Sequence, residues 1–206
     1  MAARGPYAKG VAKKREILDV ALEIVDRHGY SNATVTELAD AVGLSPNGLL
    51  HHFGSKAALF TDILRHTDEA GLAAMERGEL NPSGLDFPTL MVEMMRTQQR
   101  IPGYAELHLR LTAEAMRPEH PSHDYLAGRF RTERDLVTPT FERLQREGRV
   151  RADADPGMLT AMLYALFDGL QTRRAFEPDL DVPAHIEHFF TLVAPVRVDP
   201  ATEEPS

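Results

Sequence analysis

The chain has 206 residues, 43% of them hydrophobic and 26% charged, ordinary values for a folded globular protein with one sizeable core or two small ones. It has no Cys, which excludes disulfides and thiolate metal sites, and no apolar run approaches the ~20 residues a membrane-spanning helix needs. The net charge of −8 argues, taken whole, against a nucleic-acid partner. Its distribution reverses that argument. Residues 1–60 hold 7 Lys+Arg and 6 Asp+Glu, whereas residues 61–206 hold 16 and 25, and Arg4, Lys9, Lys13, Lys14 and Arg15 form an acid-free opening segment. The first residues lack the apolar stretch of a signal peptide, so the expectation is a cytoplasmic protein with no membrane contact.

Taken in order, residues 1–10 read as a disordered basic arm. A first helix follows over 11–28, with Ile17, Leu18, Ala21, Leu22, Ile24 and Val25 on one stripe and Gly29 ending it. Thr34 is an N-cap with Glu37 three residues on, the spacing of a capping box, and Gly43 ends that second helix. Ser45 caps a third helix with Pro46 at its first position. Leu49 and Phe53, four apart, face inward and leave Asn47, Leu50 and His51 outward. A helix of about two turns is unstable alone in water, so its neighbours must hold it while its outer face is presented to something. That is the logic of a helix-turn-helix, here residues 34–53, whose second helix enters the DNA major groove. Ser55 caps a fourth helix from Lys56 to about Arg77.

Asn81-Pro82-Ser83-Gly84 is the clearest loop, and Asp86 caps a fifth helix whose apolar face is Leu90, Met91, Met94 and Met95. Pro102-Gly103 opens a sixth, carrying Leu107, Leu111 and Met116, and Pro118 and Pro121 break it. A seventh runs from about Ser122 to Glu147 with Pro139 inside, where a kink is expected. Asp155-Pro156 opens an eighth, and Asp181-Val182-Pro183 a ninth that ends near Val193. Residues 196–206, rich in Asp, Glu and Pro, read as a disordered tail. The expected fold is all-α with about nine helices: a helix-turn-helix domain over 11–71 and a second helical domain over 72–195.

The eighth helix is apolar all round from Met158 to Phe167, the pattern of a helix covered on every side. In a chain this small the second cover is most easily another subunit. Leu163, Leu166, Phe167 and Leu170, with Ile186, Phe189 and Phe190 of the ninth helix, are the expected contacts of a two-fold four-helix homodimer interface. The bland alternative is the central helix of a monomer core.

The run from Arg15 to Phe60 resembles the N-terminal domain of TetR-type transcriptional regulators. Arg15, Ile17-Leu18, Ala21, Gly29-Tyr30, Thr34-Val35, Leu38-Ala39, Ala41-Val42-Gly43-Leu44-Ser45, Leu49, His52-Phe53, Ser55-Lys56 and Leu59-Phe60 carry the likeness without a gap. The family usually has Tyr where this chain has Leu50. The resemblance implies that Thr36, Pro46, Asn47, Gly48 and Leu50 face bases, and that Thr34, Ser45, His51, His52 and Lys56 are placed for phosphates. The chemistry agrees: Asn47 can pair with an adenine edge, and Leu50 can meet a thymine methyl. Two such helices on a two-fold axis imply a palindromic double-stranded operator. The resemblance also implies the same dimer interface and an effector pocket in the fifth to eighth helices. Met91, Met94, Met95, Met116 and Met162 are adaptable apolar wall candidates there, and Tyr104, His108 and Tyr164 polar ones. Ordinary core packing explains the methionines about as well.

His120 with His123, and His185 with His188, have metal-like spacing, but neither pair has a clear third ligand. Glycine-rich phosphate loops and serine nucleophile motifs are absent from the sequence. The expectation is therefore no enzyme, no cofactor and no metal. The leading reading is a DNA-binding repressor released by a small-molecule effector. A helical ligand-binding protein that has lost DNA binding and, behind it, an all-α metal enzyme are the other readings the residues leave open.

Overall fold

A computed structural model describes residues 6–30, 32–76, 86–101 and 103–195, with side chains from residue 16 onward except 70–76. The described residues form nine helices and no strand: α1 Pro6–His28, α2 Val35–Ala41, α3 Pro46–Phe53, α4 Lys56–Glu76, α5 Phe87–Gln99, α6 Tyr104–Glu114, α7 His123–Arg146, α8 Pro156–Arg174 and α9 Val182–Val193. The sequence signals for helix starts hold closely, because each is a local hydrogen bond. Thr34, Ser45, Asp86, Asp155 and Asp181 each accept from a backbone N–H three residues on. One expectation shifts. α1 begins at Pro6, so residues 6–10, read as part of a disordered arm, are helical. Pro139 lies inside α7, as the sequence places it, on the exposed side of the helix. Residues 1–5, the Asn81–Gly84 loop and the 196–206 tail lie outside the described residues.

Two apolar clusters form the core. The first joins Ile17, Leu18, Leu22, Ile24 and Val25 of α1 to Leu38 of α2, Leu49 and Phe53 of α3, and Leu59, Phe60, Ile63 and Leu64 of α4. It also takes in Tyr104, Leu107, Leu111 and Ala115 from α6 and its end, and Leu126 of α7. The second gathers α5, the later part of α7, α8 and α9 around Phe141, Leu163, Val182 and Ile186, all fully buried. The sequence reading assigned α6 to the C-terminal domain, yet its apolar face completes the N-terminal core. A burial this complete makes α1, α4 and α6 one packed unit, since interiors at crystal-like density resist sliding.

Gly103 sets the approach of α6 to α1. Its φ of +67° is left-handed, and its N–H donates to Asp26 Oδ1 at 3.1 Å. A Cβ there would stand 2.7 Å from the Asp26 backbone nitrogen and 2.9 Å from the Leu22 carbonyl oxygen. Gly43 has a similar φ of +69° but open space around it. The comparison separates dihedral strain from collision. Gly43→Ala is expected to cost about 1–2 kcal/mol, the left-handed penalty alone. Gly103→Ala is expected to cost clearly more, about 3 kcal/mol or above, because backbone rather than a side-chain tip must yield. Urea denaturation of both variants checks the ordering.

Candidate functional site

α3 is built to face outward. Thr34 Oγ1 accepts from the Glu37 N–H at 3.1 Å and starts α2, while the Glu37 carboxylate meets His28 Nε2 at 3.1 Å. At the turn, Leu44 N–H donates to the Ala39 carbonyl at 2.9 Å across Gly43. Ser45 Oγ then accepts from the Gly48 N–H at 3.0 Å, with Pro46 at the first helical position. Leu49 and Phe53 are buried beneath. Asn47, His51 and His52 are exposed and Pro46, Gly48 and Leu50 half-exposed; on α2 and its cap, Thr34 and Thr36 are exposed. The buried pair fixes the rotation of the helix, so the outward set follows from the inward one. Gly54 N–H closes α3 on the Leu50 carbonyl at 2.6 Å, and Ser55 Oγ caps α4 through the Ala58 N–H at 3.0 Å.

Lys56 is a cation at the start of α4, and its place is set by rings. Its Nζ lies 5.6 Å from the Tyr30 ring centre and 5.5 Å from that of Phe60, and the two rings meet at 4.8 Å. Tyr30 is in turn held by α6. Its hydroxyl donates to Glu114 Oε2 at 2.7 Å, and its backbone N–H donates to Glu106 Oε1 at 3.1 Å. Burial, and then the Glu114 carboxylate, push the Tyr30 hydroxyl above its ordinary range, so it remains a donor. A contact chain therefore runs from α6 through Tyr30 to Lys56.

A buried polar hub sits where α4, α6 and α7 meet. Asp68 accepts from the Tyr104 hydroxyl at 3.3 Å and from the Tyr125 hydroxyl, and pairs with Arg129, whose Nε lies 3.3 Å from its Oδ2. Arg129 Nε also lies 3.1 Å from Glu133 Oε1, and its Nη2 donates to the Tyr104 hydroxyl at 3.3 Å. The His108 ring stacks on Tyr104 at 6.0 Å and 11° and is only 3% exposed. Both His108 nitrogens and Arg129 Nη1 are buried without a partner among the described residues. An unmet buried donor or acceptor costs about 1–3 kcal/mol, so such groups call for an explanation. Burial, and then the Arg129 charge, drive the His108 pKa down to about 3. Burial raises that of Glu133 to about 7 against the opposing pull of Arg129. Asp168 on α8 is also raised, chiefly by burial.

The pocket and interface residues expected from sequence divide unevenly. Tyr104 and His108 stand in the hub, and Tyr164 is close enough for Glu133 to raise its hydroxyl pKa after burial has done so. The methionines do not line it. Met91 and Met95 are packed in the second core with Met94 against them, whereas Met116, just past the end of α6, is 77% exposed. Met162 is 58% exposed on the outer face of α8. Asp68, Tyr125, Arg129, Glu133 and Asp168, which complete the hub, were not singled out as site residues from sequence. Leu163, Phe167, Leu170, Ile186 and Phe190 belong to the chain's own core, while Leu166 and Phe189 are only partly covered. Nor is α8 covered on every side: Met158, Ala161, Met162, Ala165 and Gly169 form an exposed small-and-methionine face. Of the histidine pairs, His120 Nδ1 accepts from the Ser122 N–H at 3.2 Å, and His123 and His185 engage backbone carbonyls at 2.9 and 2.7 Å.

A capped two-turn helix held outward on a three-helix core defines the N-terminal part as a helix-turn-helix DNA-binding unit. The family model for bacterial regulatory proteins of the tetR family matches residues 17–63, and that for the C-terminal part of BetI-type transcriptional repressors matches residues 89–194. The chain is 30% identical to the HTH-type transcriptional repressor Rv1474c of Mycobacterium tuberculosis over 171 residues, 82% of this chain and 85% of that protein. It is 32% identical to the repressor AcnR of Corynebacterium diphtheriae over 185 residues, covering 88% and 89%. A TetR transcription regulator from Haloarcula marismortui shares the fold at a TM-score of 0.73 and 20% identity, over 89% of this chain and 97% of that one. The chain belongs to the tetR family and is a DNA-binding transcriptional regulator.

The hub has a pH signature. An unfolded chain takes up a proton on His108 below its ordinary pKa of 6.5, and the folded chain refuses it until about pH 3. His108 therefore withdraws stability as pH falls through that window. Glu133 acts oppositely: folded, it keeps its proton up to about pH 7, against 4.5 unfolded, so its contribution is full below 4.5 and lost as pH rises to 7. His108→Gln removes only the first effect. Relative to the parent, that variant is expected to gain about 2 kcal/mol between pH 7.5 and pH 5, read by urea denaturation at each pH. A pH-independent difference would show that the ring is not held neutral.

Proposed function

We propose that this regulator is a repressor that binds a palindromic operator as a homodimer and is released when a small molecule occupies the hub. The observation that carries the reading is the exposure pattern of α3: Leu49 and Phe53 inward, and Pro46, Asn47, Gly48, Leu50, His51 and His52 outward. In this reading Asn47, Leu50 and Thr36 meet base edges. Thr34, Ser45, His51, His52 and Lys56 meet phosphates, and the α2 N-terminus adds backbone N–H groups. The repressor sign is supported by the names of the relatives above.

Dimerisation is supported by the uncovered face of α8. Met158 and Met162, 65% and 58% exposed, line up with Ala161, Ala165, Leu166 and Gly169, and Leu192 of α9 is exposed as well. Small residues flanked by methionines let two helices approach closely about a two-fold axis. Two α3 helices would then address half-sites about 34–36 Å apart. Release is supported by the connections of the hub. Asp68 lies on α4, which carries the DNA-binding unit, and Tyr104 and His108 lie on α6, which reaches Lys56 through Glu114 and Tyr30. A ligand that binds one arrangement of α6 better shifts the population of the other, and the operator must then change its affinity for that ligand by the same factor.

Three variants test these assignments. Lys56→Ala is expected to weaken binding to all sequences alike and to lower the salt slope by about one unit. Asn47→Ala is expected to change the preferred sequence in a selection from random DNA; an unchanged operator at unchanged affinity would mean that α3 is turned otherwise. Met162→Glu places a charge on the α8 face and should halve the sedimenting mass at micromolar concentration, with loss of tight operator binding. A parent protein that already sediments as a single chain would remove the dimer.

A further inference from the structure

We propose that the hub is a receptor for an organic acid, whose carboxylate is received by Arg129 Nη1 and His108 between α6, α7 and α8. The proposal rests on the reading of this chain as an effector-released regulator and names the chemistry of that effector. Its ground is which buried atoms are met and which are not. Asp68 takes the Tyr104 and Tyr125 hydroxyls and pairs with Arg129, and Glu133 pairs with Arg129. Among the side-chain atoms shut from water and left without a partner in the described residues, donors predominate. Arg129 Nη1 carries two N–H groups without a partner among the described residues, beside an Nη2 that is only singly engaged. That pair of nitrogens is one edge of the planar fork that matches a carboxylate in bidentate geometry. His108, fully buried, adds a neutral ring with one donor, and Thr112, one turn along α6, adds an unmet hydroxyl. The Tyr104–His108 stack offers a flat apolar wall for the body of such an acid.

The charges around this point decide the sign of the ligand's effect on protons. Facing Arg129 and Glu133 are Asp68 from α4, Tyr104 and His108 from α6, Tyr125 from α7, and Tyr164 and Asp168 from α8. Arg129 keeps its charge throughout, because the tyrosines and carboxylates around it outweigh the cost of its burial. A carboxylate arriving beside Glu133 repels its charged form, so binding an acid takes up a proton near neutral pH and turns Glu133 from acceptor to donor. A cation would do the reverse, releasing a proton. Asp168, partly buried on α8, is the carboxylate that a cation would seek, which makes a cationic probe the natural opposing arm.

The test uses the whole purified protein without DNA. Benzoate and octanoate are compared with benzamide and octanamide, their neutral isosteres, and with benzyltrimethylammonium. At about ten times Kd a bound acid is expected to raise the thermal midpoint by about 2–4 °C, with the amides and the ammonium inert. Calorimetry in two buffers of different ionisation enthalpy should show proton uptake with benzoate near pH 7.5. Arg129→Lys keeps the charge opposite Asp68 but loses the fork, and should weaken benzoate by about tenfold or more; His108→Gln, which keeps a donor, should weaken it less. Folding of both variants is checked by circular dichroism before binding is read. Four results would each overturn the proposal: amides as effective as acids, an ammonium response with proton release, benzoate binding unaltered in Arg129→Lys, or no acid binding at about 10 mM. The regulator reading is tested apart from it, by operator retention in the absence of any acid. A protein that binds DNA but no acid loses only this assignment, and one that binds acids but no DNA loses only the regulator.

Discussion

Asp68 is the point at which the two halves of the molecule are tied together. It sits on α4, the helix that carries the DNA-binding unit, and its two oxygens gather hydroxyls from α6 and α7 and a guanidinium from α7. A half-buried carboxylate that takes two hydroxyls and pairs with a guanidinium is held in one geometry, since releasing it would leave several polar groups unmet at once. Near the other end of this seam, Thr61 Oγ1 meets Ser122 Oγ at 2.6 Å, both buried, and fixes α4 to the start of α7. The orientation of the helix-turn-helix thus depends on polar contacts of high directionality, set beside a close-packed apolar core that itself resists sliding.

That division of labour explains why α6 matters out of proportion to its length. Its apolar side belongs to the N-terminal core, its Tyr104 and His108 belong to the hub, and its Glu106 and Glu114 clasp Tyr30. Gly103 lets it lie against the α1 backbone closer than any other residue could. A shift of this one helix would therefore be felt at the Lys56 ring cage without passing through a flexible link. Bistability of a packed element of this kind is the physical requirement for a switch; distance between two sites alone is not.

How much of this could be read from sequence divides by the range of the interaction. The helix-turn-helix was legible almost to the residue, because caps, the Ser45-Pro46 step and the Leu49/Phe53 pair are local and each has one good solution. The hub was not. Its members come from positions 68, 104, 108, 125, 129, 133, 164 and 168, and no spacing rule brings them together. One signal did exist. Along α7 the buried side runs through Leu126, Val137, Phe141 and Leu144, and between them it carries Arg129 and Glu133 where apolar residues belong. Polar residues in register with a core stripe are a stronger pointer to a site than methionines, which fill gaps in any core, as Met91 and Met95 do here. The faces of α8 and α9 divide in the same way. Leu163, Phe167, Ile186 and Phe190 are buried in the chain's own core, while Met158, Ala161, Met162 and Leu192 stay exposed, a division set by tertiary packing that helical spacing alone does not give.

Charge completes the picture of how such a molecule meets DNA. Residues 61–206 carry a net −9, and residues 1–60 a net +1. At physiological salt the field of a surface charge is screened within about 8 Å, so the acidic bulk does not cancel a basic end lying farther away than that. It does discourage every other approach. A duplex is repelled by the acidic part of the chain that follows α4 and meets favourable charge near the N-terminal unit, where Lys56 is half-exposed. An overall negative charge is in this sense an orienting device rather than an argument against nucleic acid. It leaves non-specific affinity low, so that sequence-dependent contacts must account for more of the total discrimination.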